Sequence, residues 1–182
     1  KKGEYRDTQY KDIVILLRSP KNWAPIFAEI FNKEGIPLYS DDSSGYFDTL
    51  EINMFLDLLK LLDNKKQDIP LLSVMRSPIG NFTTNELIKI RLGKREGSYY
   101  SAVEDYIEHK EDALSFKLKS FINKLDKWSE ESRFLKLDEF IWKLLMETGY
   151  YYYVGAMPGG IQWQANLRIL VDRAGQFEKS AI

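Results

Sequence analysis

Apolar residues are spaced along this chain in two different ways. Near the start, Ile13, Val14, Ile15, Leu16 and Leu17 follow one another without interruption. A continuous run rich in β-branched residues is the pattern of a strand covered on both faces. Arg18-Ser19-Pro20 ends it. Next, Trp23, Ile26, Phe27, Ile30 and Phe31 recur at helical spacing and share one face. Gly35 stands where a C-terminal glycine belongs, and Ile36-Pro37-Leu38-Tyr39 reads as a brief extended segment. Strand, helix and strand together predict a short β-α-β piece of a parallel sheet. Two short strands cannot stand as a domain, so the pattern implies a piece of something larger.

From Asp41 onward the spacing is helical. Asp48-Thr49-Leu50-Glu51 has capping-box spacing and opens a helix to about Leu62, apolar on nearly every side and therefore central. Asp68-Ile69-Pro70 starts a shorter one, with proline tolerated in the first turn. Thr83-Thr84-Asn85-Glu86 is a second capping box, with Gly93 as the stop. Further helices are predicted over Ser98 to His109, Ala113 to Trp128, Leu137 to Met146 and Gln162 to Phe177. The expected fold is mainly α: a helical body over 41–182 and the β-α-β piece over 1–40.

Composition narrows the chemistry. The 182 residues are 44% hydrophobic, enough for a real core. Lys and Arg total 26 against 27 Asp and Glu, a net charge of −1. A protein binding DNA through bulk charge would be more basic, so any such contact must be a local patch. The absence of cysteine removes disulfides and thiolate chemistry, and the single histidine, His109, removes His-based metal clusters. No apolar run approaches ~18 residues, and Lys1-Lys2-Gly3-Glu4-Tyr5 lacks a signal-peptide pattern. The expected compartment is the cytoplasm.

Several constellations invite a functional reading beside a plainer one. Gly93-Lys94-Arg95 lacks the upstream glycine and the Ser/Thr of a phosphate-binding loop. From Ser40, the chain reaches Asp42, Ser44, Gly45, Asp48 and Glu51 at calcium-loop spacing, but without the first Asp or an entering helix. The adjacent acidic pairs, such as Asp138-Glu139, point apart on a helix and read as solvated faces. Tyr150-Tyr151-Tyr152-Tyr153 suits either core closure or base stacking. Trp163, in a polar helix start, suits an interface. Lys89, Arg91, Lys94 and Arg95 are either a phosphate-binding patch or a solvated helix end. Arg18 closes the apolar run where α/β sheets place ligand contacts, and with Ser19 it offers a guanidinium and a hydroxyl suited to phosphate.

Three stretches taken in order resemble a family: Tyr10 to Ser19, Gly35 to Tyr39, and Gly45 to Ile52. Their order and spacing are similar to UvrD/RecB-like superfamily-1 DNA helicases. Leu61-Leu62-Asp63-Asn64, Gln67 to Leu71, Met75 to Pro78, Thr148 to Gly160 and Asp172-Arg173-Ala174 are similar, more specifically, to the AddA-type helicase–nuclease family. The resemblance implies an ATP-driven helicase and exonuclease that processes double-strand breaks for recombinational repair. Residues 1–40 would begin its second RecA-like motor subdomain, and 41–182 would be a helical accessory subdomain. It implies ATP and magnesium in the parent but neither in this piece, and no catalytic residue here. Implied partners are DNA, single-stranded and at a duplex junction, and the second subunit of a heterodimer, with no membrane. Arg18 and Ser19 are the implied nucleic-acid contacts. Arg76-Ser77-Pro78-Ile79-Gly80 falls where simpler relatives have a glycine loop that grips duplex phosphates, and only Gly80 remains of those glycines. Trp163 stands where an arginine is expected. The alternative reading is a free-standing helical protein-interaction module with no helicase activity.

Overall fold

The computed structural model describes residues 6–18, 20–38, 46–47 and 49–180. The chain divides into two compact units, Lys1–Thr49 and Leu50–Ile182.

The first unit holds one turn of 3₁₀ helix, Tyr10–Asp12, and helix α1, Pro20–Lys33. Asp12 accepts from the Gln9 N–H at 2.9 Å and pairs with Arg6 at 2.5 Å. Proline suits the first position of α1 because its missing N–H would have no partner there anyway. Gly35 ends the helix at φ +69°, letting the Ile36 N–H return to the Phe31 carbonyl at 2.8 Å. Phe27 and Phe31 meet edge to face at 5.8 Å.

The expected β-α-β piece is not there. Among the described residues no strand forms. The backbone is extended at Ile13, with φ −99° and ψ 127°, but among the described residues no second row of N–H and C=O groups pairs with the run. Val14 is 76% and Leu16 90% exposed, the reverse of a covered strand. A run of β-branched residues sets the local backbone conformation; a sheet also needs a neighbour, which the run does not encode. Residues 36–38 likewise form no strand, and Tyr39 lies outside the described residues.

The second unit is a bundle of α2 (Leu50–Asp63), α3 (Asp68–Arg76), α4 (Thr84–Gly93), α5 (Tyr99–His109), α6 (Ala113–Glu131), α7 (Leu137–Glu147), α8 (Tyr150–Gly155) and α9 (Gly160–Ser180). Helix α2 is its axis, packed on α3, α6 and α9. Ile52, Phe55, Leu58 and Leu61 are completely buried. Helices α7, α8 and α9 pack on one another, and α5 joins α3, α4 and α6. Phe82 and Phe121 meet edge to face at 5.5 Å.

Polar groups fix the register of these helices. Thr83 and Glu86 form the expected capping box: Thr83 Oγ1 accepts from the Glu86 N–H at 3.2 Å, and Glu86 Oε2 accepts from the Thr83 N–H at 2.7 Å. Asp68 reaches across from α3 to accept the Tyr99 N–H at 2.8 Å. The Tyr150 hydroxyl donates to the Glu51 carbonyl at 3.1 Å, and the Glu51 carboxylate, itself buried, accepts from Asn166 at 2.6 Å. The first turn of α2 is thereby tied to both α8 and α9. Burial pushes the Tyr150 phenol well above its ordinary pKa. Asp48, the other half of the expected first capping box, lies outside the described residues.

Two outcomes follow. Tyr150→Phe removes the hydroxyl that ties α8 to the Glu51 carbonyl and should lower the unfolding free energy by about 1 kcal/mol in urea melts, with helix content unchanged. The second concerns Asp112, which caps α6 by accepting the Ser115 N–H at 2.9 Å. The Lys89 ammonium, the Ser115 amide and the Tyr106 hydroxyl all bind its charged form and hold its carboxyl far below the ordinary value of 3.8. Because the folded pKa is depressed, this contribution is complete above the unfolded value and is lost as pH falls through the folded one. Asp112→Asn should therefore be less stable than the native chain at pH 7, and the gap should narrow by about pH 2.5.

Candidate functional site

The return from the extended segment into α1 is short. It sets Arg18, at the bend, beside Trp23 in the first turn of the helix. Leu17, Arg18, Trp23 and Phe27 line one cleft of about 450 Å³. Arg18 is exposed and makes no ion pair with any described residue. Ser19, the other expected contact, lies outside the described residues. By spacing alone, Trp23 is only one member of the apolar face of α1. Its nearness to Arg18 comes from the turn into α1 and is not carried by the spacing.

The loop after α3 has a different character. Ser77 Oγ donates to the Val74 carbonyl at 2.7 Å and accepts from the Ile79 N–H at 3.1 Å. The Gly80 N–H reaches the Val74 carbonyl at 3.2 Å, Asn81 the Ser77 carbonyl at 2.8 Å, and Phe82 the Met75 carbonyl at 2.8 Å. Pro78 has no N–H. Every amide donor from Ser77 to Phe82 is thus used within the turn, and none is left to cradle a phosphate. A Cβ on Gly80 would sit 2.6 Å from Met75 Cα, so this glycine is required by the close approach of two backbone stretches. Lys117 locks the turn from α6, donating to the Asn81 carbonyl at 2.7 Å and to Glu86 at 2.9 Å.

Of the candidate basic patch, two members serve the fold. Lys89 pairs with Asp112 at 2.8 Å, and Arg91 donates to the Gly97 carbonyl at 3.0 Å. Lys94 is half-buried and Arg95 is exposed. The tyrosine run divides with the helical turn. Tyr150 and Tyr151 are buried, while Tyr152 and Tyr153 face outward. Tyr151 meets Trp142 edge to face at 5.3 Å, and the Arg168 guanidinium lies 5.6 Å from its ring centre. Trp163 is half-buried. Of the calcium-loop spacing, Ser40, Asp42, Ser44, Gly45 and Asp48 lie outside the described residues, and Glu51 points into the core toward Asn166. His109 is exposed at the end of α5, its Nδ1 3.0 Å from the Asp105 carbonyl. Among the described residues no three His, Cys, Asp or Glu side chains gather where they could hold a metal ion. No helix among them is long and apolar enough to cross a membrane.

An arginine-bearing extended segment followed by a helical body is the arrangement to set beside known proteins. Residues 1–157 match the model of the UvrD-like helicase C-terminal domain, and the chain belongs to that family. Within it, the chain is 63% identical over 178 residues to an ATP-dependent helicase/nuclease subunit from Alkaliphilus oremlandii, and 65% identical to its namesake from Alkaliphilus metalliredigens. Against the protein of the same name from Syntrophomonas wolfei it is 57% identical over 182 residues. These matches cover 97–98% of this chain and 15% of each relative, so the chain corresponds to a small part of their length.

Gly80→Ala should cost about 1–3 kcal/mol through the backbone clash it creates. Gly93→Ala, whose Cβ would meet only the Tyr106 ring at 3.9 Å, should change stability little. Urea melts of the two variants side by side make the comparison.

Proposed function

We propose that this chain is a non-catalytic segment of an ATP-dependent DNA helicase and exonuclease that processes double-strand breaks for recombinational repair. The observation carrying this reading is the high identity, over nearly the whole chain, to proteins named as ATP-dependent helicase/nuclease subunits. In this reading residues 1–40 begin the second motor subdomain and 41–182 form a helical accessory subdomain. The division of the chain between Thr49 and Leu50 supports a boundary in that stretch. ATP and magnesium act elsewhere in the parent, since this sequence carries no glycine-rich phosphate loop followed by Lys and Ser/Thr. The partners are DNA and the other member of the heterodimer, in the cytoplasm.

Arg18 is the DNA contact of this segment, with Ser19 beside it. An exposed guanidinium with no described carboxylate beside it is free to take a phosphate in bidentate fashion. The loop at Gly80 makes no such contact in this reading, because its amides are occupied. Fluorescence anisotropy with labelled single-stranded, duplex and forked DNA tests this. The whole 182-residue chain should bind at low salt and weaken as salt rises. Arg18→Ala should lose about tenfold in affinity and reduce the salt slope by about one. Equal binding by Arg18→Ala would remove Arg18 from the interface.

A further inference from the structure

The helices of the second unit sort into two groups. In the first, α2 packs on α3 and α6, and α5 packs on α3, α4 and α6. In the second, α7, α8 and α9 pack on one another. Of the extensive helix–helix contacts among the described residues, α2 against α9 alone joins the groups. Each group also satisfies polar groups from within. The first amide of α7, Leu137, donates to Glu178 of α9 at 3.3 Å, and Gln164 of α9 donates to the Tyr151 carbonyl of α8 at 3.0 Å. In the first group, Asp68 takes the Tyr99 N–H, and Lys117 bridges α6 to Asn81 and Glu86. The connection divides in the same way. The N–H groups of Arg133, Phe134 and Leu135 turn back to Glu130 and Glu131 of α6, whereas the Lys136 carbonyl accepts from Phe140 of α7.

The seam between the groups has a mixed character. The Phe55 and Tyr150 rings lie nearly parallel across it, with centres 6.2 Å apart. Its polar ties gather at two places. One is buried Glu51, held by Tyr150 and Asn166. The other is a set of alternating charges. Lys127 of α6 pairs with Glu147 of α7 at 2.9 Å, and Lys143 of α7 pairs with Glu131 of α6 at 2.8 Å. Lys127 also reaches Glu131 at 3.9 Å, which links the two pairs. Parting this seam gives up partly exposed ion pairs, which contribute little, and returns the Glu51 carboxylate to water. The coupling across it is therefore weak beside the burial within either group.

We propose that α7, α8 and α9 form one cooperative unit that unfolds while α2–α6 stays folded, with its boundary at Leu135–Lys136 and its latch in Glu51 and the Lys127–Glu131–Lys143–Glu147 charges. Groups of adjacent helices with contacts of their own are the units in which proteins open short of global unfolding. This opening uncovers α2 around Phe55 and leaves its contacts with α3 and α6 in place. The charged part of the latch weakens with salt; the buried part does not.

Native-state hydrogen exchange across low urea concentrations, on the whole 182-residue chain, tests this. The slowest amides of α7 and α9 should share one opening, at least about tenfold more populated than the one that exposes the slowest amides of α2, and with a smaller urea dependence. Asp112→Asn weakens only the first group, so it should speed exchange in α2 and leave α7 and α9 unchanged. Glu147→Gln should raise the α7–α9 opening constant about threefold at low salt, and the difference from the native chain should vanish at about 0.5 M salt. Asn166→Ala should raise the same opening about tenfold at either salt. A single opening with one urea dependence for all these helices in the native chain would overturn the proposal, as would separate openings of α7 and α9. Equal acceleration of both groups by Asp112→Asn would overturn it too. The measurement on the native chain decides even where a variant fails to fold.

Discussion

The helical bundle depends on one constraint: α2 is buried on nearly every side and still begins with an acid. Phe55, Leu58 and Leu61 remove large apolar surfaces from water, each on a different bearing around the helix. That much burial demands neighbours all round, and α3, α6 and α9 provide them. Glu51 cannot reach solvent from the start of such a helix. Its carboxylate is accommodated by the Asn166 amide, and its carbonyl by the Tyr150 hydroxyl. An uncompensated charge there would be costly, so the positions of α8 and α9 are coupled to the identity of residue 51. The same coupling explains two of the glycines between these helices. Gly155 leaves room for the Gln164 amide, which donates to the Tyr151 carbonyl at 3.0 Å, and a Cβ on Gly160 would come within 2.6 Å of the Val154 carbonyl. Close backbone approach lets α8 turn directly into α9.

Much of the helical body was legible because its signals are local. The Thr83–Glu86 box, the glycine at 35 and the apolar face of α6 each act within a few residues of chain, and each appears at its expected place. The Leu50–Asp63 helix was legible as central from its uniform apolarity. The failure at Ile13–Leu17 has the opposite cause. A strand is defined by a partner, and hydrophobicity is the same whether or not that partner is present. The tie from Glu51 to Asn166 was illegible for a related reason: the partner lies 115 positions away. The tyrosine run was undecidable in sequence because four identical residues on a helical turn must point both inward and outward.

The candidate site was half legible. Arg18 stood out from its place after the apolar run, and the cleft shows it exposed beside aromatic walls. The contribution of Trp23 depends on how sharply the chain turns at Pro20, a matter of geometry rather than pattern. Conversely, the Gly80 loop matched a phosphate-binding position by its place in the chain but not by chemistry. Phosphate recognition by a loop requires unspent N–H groups, and this turn has spent its own on itself.

That self-sufficiency has a mechanical side. The turn from Ser77 to Phe82 is held by hydrogen bonds from each of its backbone N–H groups, buttressed from α6 by Lys117 and without space at Gly80 for a side chain. A corner built this way has no soft torsion left to act as a hinge. Bending between α3 and α4 at this corner would have to break several of these hydrogen bonds at once.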